Sequence, residues 1–140
     1  MRISTRILLT LALLLIPFSL LGSVKKEIPI AQNGILDLRD WNFQKDGTVE
    51  LYGHWQFYWK EFLSPSDTLL GKHPGFTGFM PIPGHWNNYL VDGNPISGEG
   101  YATFALIVRL PEDAENLALK LIDIQTAYRL FINKSELYNY

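Results

Sequence analysis

The groups best suited to chemistry in this sequence are its histidines and one polar, aromatic loop. The tripeptide Gly-His-Trp occurs twice, carrying His54 and His85, and His73 stands between them. Two histidines could ligate a metal, but neither His54 nor His85 has a ligand partner two or four residues away. Each is therefore read as a surface or locally hydrogen-bonded residue, and no metal or other cofactor is expected. G-x-S-x-G, H-E-x-x-H and a P-loop lysine are missing, and Gly98-Glu99-Gly100 marks a turn rather than a phosphate cradle. No carboxylate stands in an apolar setting that would raise its pKa, so no catalytic residue is assigned and no enzymatic activity of its own is expected.

The loop that carries Trp86, Asn87, Asn88, Tyr89 and Asp92 offers a different chemistry. Flat rings can stack on the apolar face of a pyranose while neighbouring amides and carboxylates bond its hydroxyls, so these five residues form a candidate carbohydrate or small-molecule site. In the competing reading Trp86 folds back as a lid on the core and the asparagines serve the turn. Asn133-Lys134-Ser135 matches a glycosylation sequon but reads as a turn.

Composition narrows the partners and the compartment. The 140 residues suit one domain, and the net charge of −2 provides no basic face. Without residues 1–22 the balance is ten basic against fourteen acidic residues, so nucleic acid is not an expected partner. The absence of cysteine excludes disulfides, thiolate chemistry and a lipid-anchored lipoprotein. Arg2 and Arg6 precede an uncharged run ending at Leu21, followed by Gly22 and Ser23, which is a signal-peptide layout with an uncleaved anchor as the alternative. The expected organisation is a signal peptide over 1–22, a linker over 23–33 and one exported domain over 34–140.

The elements that must position the loop are strands. In residues 51–62 (LYGHWQFYWKEF), Trp55, Phe57 and Trp59 share one parity, opposite Tyr52, His54, Gln56, Tyr58 and Lys60. A helix would also bring Trp55, Trp59 and Phe62 together, but aromatics suit a pleated surface and strong helix formers are scarce before Lys60. Further strands are expected over 35–38, 48–52, 101–110, 117–122, 127–132 and 136–140. The stretches 40–47, 66–79 and 91–100 are expected as loops, the second with at most one helical turn. Asn33-Gly34 and Asp46-Gly47 mark turns, and Pro83-Gly84 fits a type II turn. So many short strands between Pro/Gly loops predict an all-β antiparallel sandwich.

The order of motifs resembles a known family. GILDLRDWNFQKDGTVELYGHWQFYWKEFLSP, PIPGHWNN, GEGYATFALIVRLP and LALKLIDIQTAYRLFIN, covering nearly all of 34–133, are similar to the exported N-terminal sensor domain of bacterial seven-transmembrane receptors with diverse intracellular signalling modules. The resemblance implies a galactose-binding-like jelly roll on the outer face of the inner membrane, sensing a carbohydrate or other small molecule. It further implies seven helices and a cytoplasmic output such as a cyclase, kinase or phosphatase beyond these residues. Asn133-Lys134-Ser135 stands where such domains usually have Asn-Gly. The runner-up is the non-catalytic jelly roll of secreted glycoside hydrolases, which shows the same order of G-x-W, P-G-x-W and A-Y-x-x-x-x-N. A jelly roll closes with about eight strands, so the domain is expected to be incomplete at its C-terminus.

Overall fold

The computed structural model describes residues 26–68, 75–122, 124, 126–133 and 135–139. The expected signal peptide and His73 lie outside them. The described residues form an all-β, sandwich-like fold of short ladders. Its centre is a three-stranded antiparallel sheet, with β2 (Gly53–Trp59) between β3 (Gly78–Ile82) and β6 (Ala102–Ala105). In a second sheet β1 (Ile35–Asp37) runs parallel to β7 (Ile107–Arg109), with Leu36 opposite Val108. Two hairpins, β4 (Leu90–Val91) with β5 (Asn94–Pro95) and β8 (Arg129–Ile132) with β9 (Ser135–Asn139), pair only within themselves among the described residues. Among the described residues helix is confined to α1 (Phe43–Asp46), α2 (Pro65–Thr68) and a 3-10 turn at Trp86–Asn88.

The aromatic stretch forms the strand its parity predicts, and that strand feeds two core clusters. Trp55 packs with Ala31, Leu36, Leu38 and Trp41. Phe57 packs with Met80 and Ile96, against which Trp59, Trp86, Tyr89 and Phe104 close. The opposite face of β2 is not the wet face its residue types predict. Gln56 and Tyr58 are buried there, and the Tyr58 hydroxyl donates to Gln56 Oε1 at 2.7 Å. Burial pushes the Tyr58 pKa up.

Residues 101–110 were expected as one strand and are two. β6 pairs antiparallel with β2, whereas β7 pairs parallel with β1, so the chain changes sheets at Leu106. Parity survives the change: Phe104 faces the second cluster, and Leu106 and Val108 face the first. Residues 48–52 form no strand. The indole N–H groups of Trp41 and Trp55 take the carbonyls of Gly47 and Leu51 at 3.0 and 2.9 Å, and Tyr52 O bonds to Ala31 N instead of to a neighbouring strand.

Residues 117–122 also form no strand, although the leucines alternate. Leu117, Leu119, Leu121 and Ile122 are exposed, and no described strand lies alongside to complete a ladder. Alternation specifies a face, but pairing requires a neighbour. β3 itself was missed, because Pro81 within 78–82 argues against a strand. It is accommodated on the edge of the sheet, opposite His54.

The stretch read as a linker belongs to the fold. Ala31 is fully buried and bridges Gly53, donating to Tyr52 O and accepting from His54 N, both at 2.8 Å. Lys26 lies over the Trp41 ring at 5.3 Å, bonds the Asp40 carbonyl and pairs with Asp46 at 3.3 Å. The expected loop over 40–47 contains α1, capped where Asn42 Oδ1 accepts from Lys45 N at 2.9 Å.

Asn33 and Gly34, both at positive φ, make the tight turn expected of them. Asp92 and Gly93 do the same between β4 and β5, inside a stretch read as loop. β8 and β9 also close tightly, with Ile132 opposite Ser135 and Asn133 at φ 54°, so the missing Asn-Gly does not prevent a hairpin. Pro83-Gly84 is not a type II turn. The Ile82–Pro83 peptide is cis and Gly84 is outside the left-handed region. Glycine is needed there because a Cβ would meet the Pro81 carbonyl oxygen at 2.5 Å.

Candidate functional site

The structure distributes the five candidate residues between a wall and a rim. Trp86 starts the 3-10 turn after β3. Its ring stands edge-on to Trp59 with centroids 5.6 Å apart and lies near-parallel to Phe104 at 6.4 Å. Its indole N–H donates to Gly98 O at 3.3 Å, tying the turn to the loop before β6. Tyr89 follows the turn and meets Phe57 edge-on at 5.2 Å. A Cβ on Gly78 would overlap the Tyr89 hydroxyl, so the missing side chain of Gly78 is what lets that hydroxyl lie against β3.

Both rings are thus half-buried walls of the second core cluster, the lid arrangement weighed for Trp86. Asn87 and Asp92 are exposed. Asn87 lies in the 3-10 turn, and Asp92 lies at the β4–β5 turn, where its carbonyl accepts from Asn94 Nδ2 at 3.2 Å. Asn88 closes the 3-10 turn with its backbone, and its side chain lies outside the described residues.

On the β3 side of this loop a cleft of about 370 Å³ is lined by Met80, Pro81, Gly84, His85 and Tyr89. None of these residues is a carboxylate, a lysine or an arginine, so the cleft suits an uncharged molecule. Tyr89 belongs to both the cleft and the candidate loop. The sequence reads His85 as part of a repeated tripeptide and Gly84 as part of that tripeptide and of a type II turn, and places neither in a binding site. A bent segment between an edge strand and a 3-10 turn was the missing signal, and Pro81 hid that strand.

Comparison with known proteins decides nothing further. No known family, curated protein or solved structure matches this chain. Among the described residues no three His, Asp or Glu side chains gather in a way that could hold a metal, and no helix is long and apolar enough to cross a membrane. His54 and His85 are both exposed and belong to different segments, β2 and the bend after β3.

A second, more open cleft of about 580 Å³ runs along the N-terminal segment, from Glu27 to Gln32, and reaches Ile35 and Asp37. The Arg39 guanidinium bonds the Asp37 carboxylate at 2.9 and 2.6 Å, the Arg39 backbone N–H adds a bond at 3.2 Å, and Arg109 lies 3.7 Å away. These contacts lower the Asp37 pKa to about 2. The folded-state value is below the unfolded one, so the ion pair contributes fully above the ordinary carboxylate range and is lost as pH falls through about 2. In a carboxyl-detected NMR titration Asp37 should keep its charge to about pH 2. Arg39→Ala should move the midpoint toward the ordinary range, and an unmoved midpoint would show that Arg39 is not the cause.

Proposed function

We propose that this chain is the extracytoplasmic ligand-sensing domain of a bacterial membrane signalling receptor, binding a carbohydrate or other small neutral molecule without catalysis of its own. The observation that carries the reading is the cleft beside Tyr89, whose lining has no carboxylate, lysine or arginine, next to a loop that keeps Asn87 and Asp92 in solvent. Its volume of about 370 Å³ falls in the range of small-molecule sites, roughly 300–1,000 Å³. The all-β, sandwich-like fold accords with a jelly roll of galactose-binding-like type. Export rests on the signal-peptide layout of residues 1–22, and the receptor setting rests on the family resemblance.

The full chain should bind neutral saccharides on a glycan array. Asn87→Ala and Asp92→Asn alter exposed groups, so they should leave the fold intact while weakening binding by about five- to tenfold, the usual worth of a lost hydrogen bond to a ligand. An array with no saccharide retained would remove the binding claim. Seven apolar spans encoded downstream would support the receptor setting, and a barrel with paired acidic residues would replace it with a glycosidase accessory domain.

A further inference from the structure

The chain holds two aromatic rings out in solvent on a built support. Phe62, just after β2, is 78% exposed, and Tyr101, just before β6, is 43% exposed. Their rings stack with centroids 4.4 Å apart and planes 12° from parallel. A lone exposed apolar residue is ordinary, but the scaffold under this pair is not. The Thr103 hydroxyl donates to Glu61 O at 2.7 Å and accepts from Leu63 N at 3.1 Å, gripping the backbone on both sides of Phe62. Lys60 N donates to Tyr101 O at 2.9 Å, and Lys60 itself takes φ 58°, unusual for a residue with a Cβ. Gly100 lies against the Trp59 ring, where a Cβ would come within 2.8 Å of Cζ2, so only glycine lets the chain cross that ring and bring Tyr101 beside Phe62.

We propose that the Phe62–Tyr101 stack is a sugar subsite that takes the apolar face of a pyranose. It rests on the reading of the domain as a saccharide binder and adds a second contact region to it. Two rings offer roughly 150–250 Å² each even when wholly covered, well short of the ~800 Å² per partner of a stable protein interface. The exposed neighbours are Lys60, Glu99 and Ser64, whose hydroxyl donates to the exposed Asp67 carboxylate at 2.6 Å, so charges of both signs flank the rings. Such a rim attracts no ion of one sign and suits a neutral, hydroxyl-edged ring. The loop that ends in Tyr101 also receives the Trp86 indole bond at Gly98, so the two aromatic regions flank one loop. That arrangement suits a chain of sugars better than a single one.

Affinity gels loaded with galactan, mixed-linkage β-glucan or N-acetylglucosamine oligomers test the subsite with the full chain. At least one should retard the wild type. Phe62→Ala should reduce retardation about three- to tenfold, the scale of one aromatic stacking contact, with unchanged melting. Phe62→Trp should preserve it, and Thr103→Val, which releases the backbone beside Phe62, should reduce it in the same direction. Retardation undiminished by Phe62→Ala would overturn the subsite and leave the saccharide-binding reading standing. Retardation by none of the gels would overturn both. Self-association that Phe62→Ala abolishes, with no effect on retardation, would assign the rings to an interface between copies and overturn the subsite as well.

Discussion

Gly53→Ala is expected to destabilise the fold by about 3 kcal/mol or more, lowering the melting temperature by roughly 10 °C. Two causes act together. The residue takes φ 116°, a conformation that costs a side chain-bearing residue about 1–3 kcal/mol. A Cβ there would also meet Ala31 N at 2.6 Å and Ile30 Cγ2 at 2.7 Å, and would overlap the Ala31 carbonyl oxygen. Backbone cannot turn away as a side-chain tip can. Relief would require pulling Ala31 off Gly53, breaking its 2.8 Å bonds to Tyr52 and His54 and lifting a buried residue from the first core cluster. Gly47→Ala is the control. Its φ is 88° but no atom lies within 4 Å of the added Cβ, so only the conformational part, about 1–3 kcal/mol, should appear, without the added clash. Thermal unfolding followed by far-UV circular dichroism separates the two. Equal melting temperatures for both variants would show that the Ala31 contact contributes nothing.

Side-chain alternation was legible where a strand packs its face on a core cluster and pairs with a neighbour among the described residues. Phe57 and Trp59 declared their face, and Phe104, Leu106 and Val108 kept theirs across a change of sheet. Alternation carries no information about the partner, however. Leu117, Leu119 and Leu121 read as well as β6 does and form no ladder, whereas Gly78–Ile82, which reads poorly, does. The turn at Asn33-Gly34 was legible because positive φ selects residue type locally. Ala31 was not, since a small residue in an unpatterned stretch becomes core only through the glycine that faces it. In the candidate loop the residue types announced rings beside amides. They could not announce that Trp86 and Tyr89 would rest on Phe57, Trp59 and Phe104, which lie 27 or more residues before them or 15 or more after them in the chain.

Phe57→Ala is expected to destabilise the protein by about 3–5 kcal/mol, the upper range for a buried ring cut to a methyl group. Phe57 is fully buried in the central strand, opposite Gly78 on one side and Phe104 on the other. Its ring touches Phe104 at 5.1 Å, Tyr89 at 5.2 Å and Trp59 at 6.2 Å between centroids. Stiff aromatic neighbours on a hydrogen-bonded sheet cannot collapse far into the space, so most of the cavity should persist and the value should lie toward the top of the range. Phe57→Leu keeps much of the volume and should cost about 1–2 kcal/mol. The same ring supports Tyr89 at the cleft, so saccharide binding should fall in Phe57→Ala even at temperatures where the protein remains folded. Phe62→Ala should instead weaken binding while changing stability by less than about 0.5 kcal/mol, because Phe62 is mostly in solvent. Urea unfolding of the three variants gives the stabilities, and affinity gels run well below their melting temperatures give the binding. A Phe57→Ala loss under about 1 kcal/mol would mean that the second cluster contributes little to the fold. Full binding in that variant would detach the Tyr89 cleft from the core beneath it.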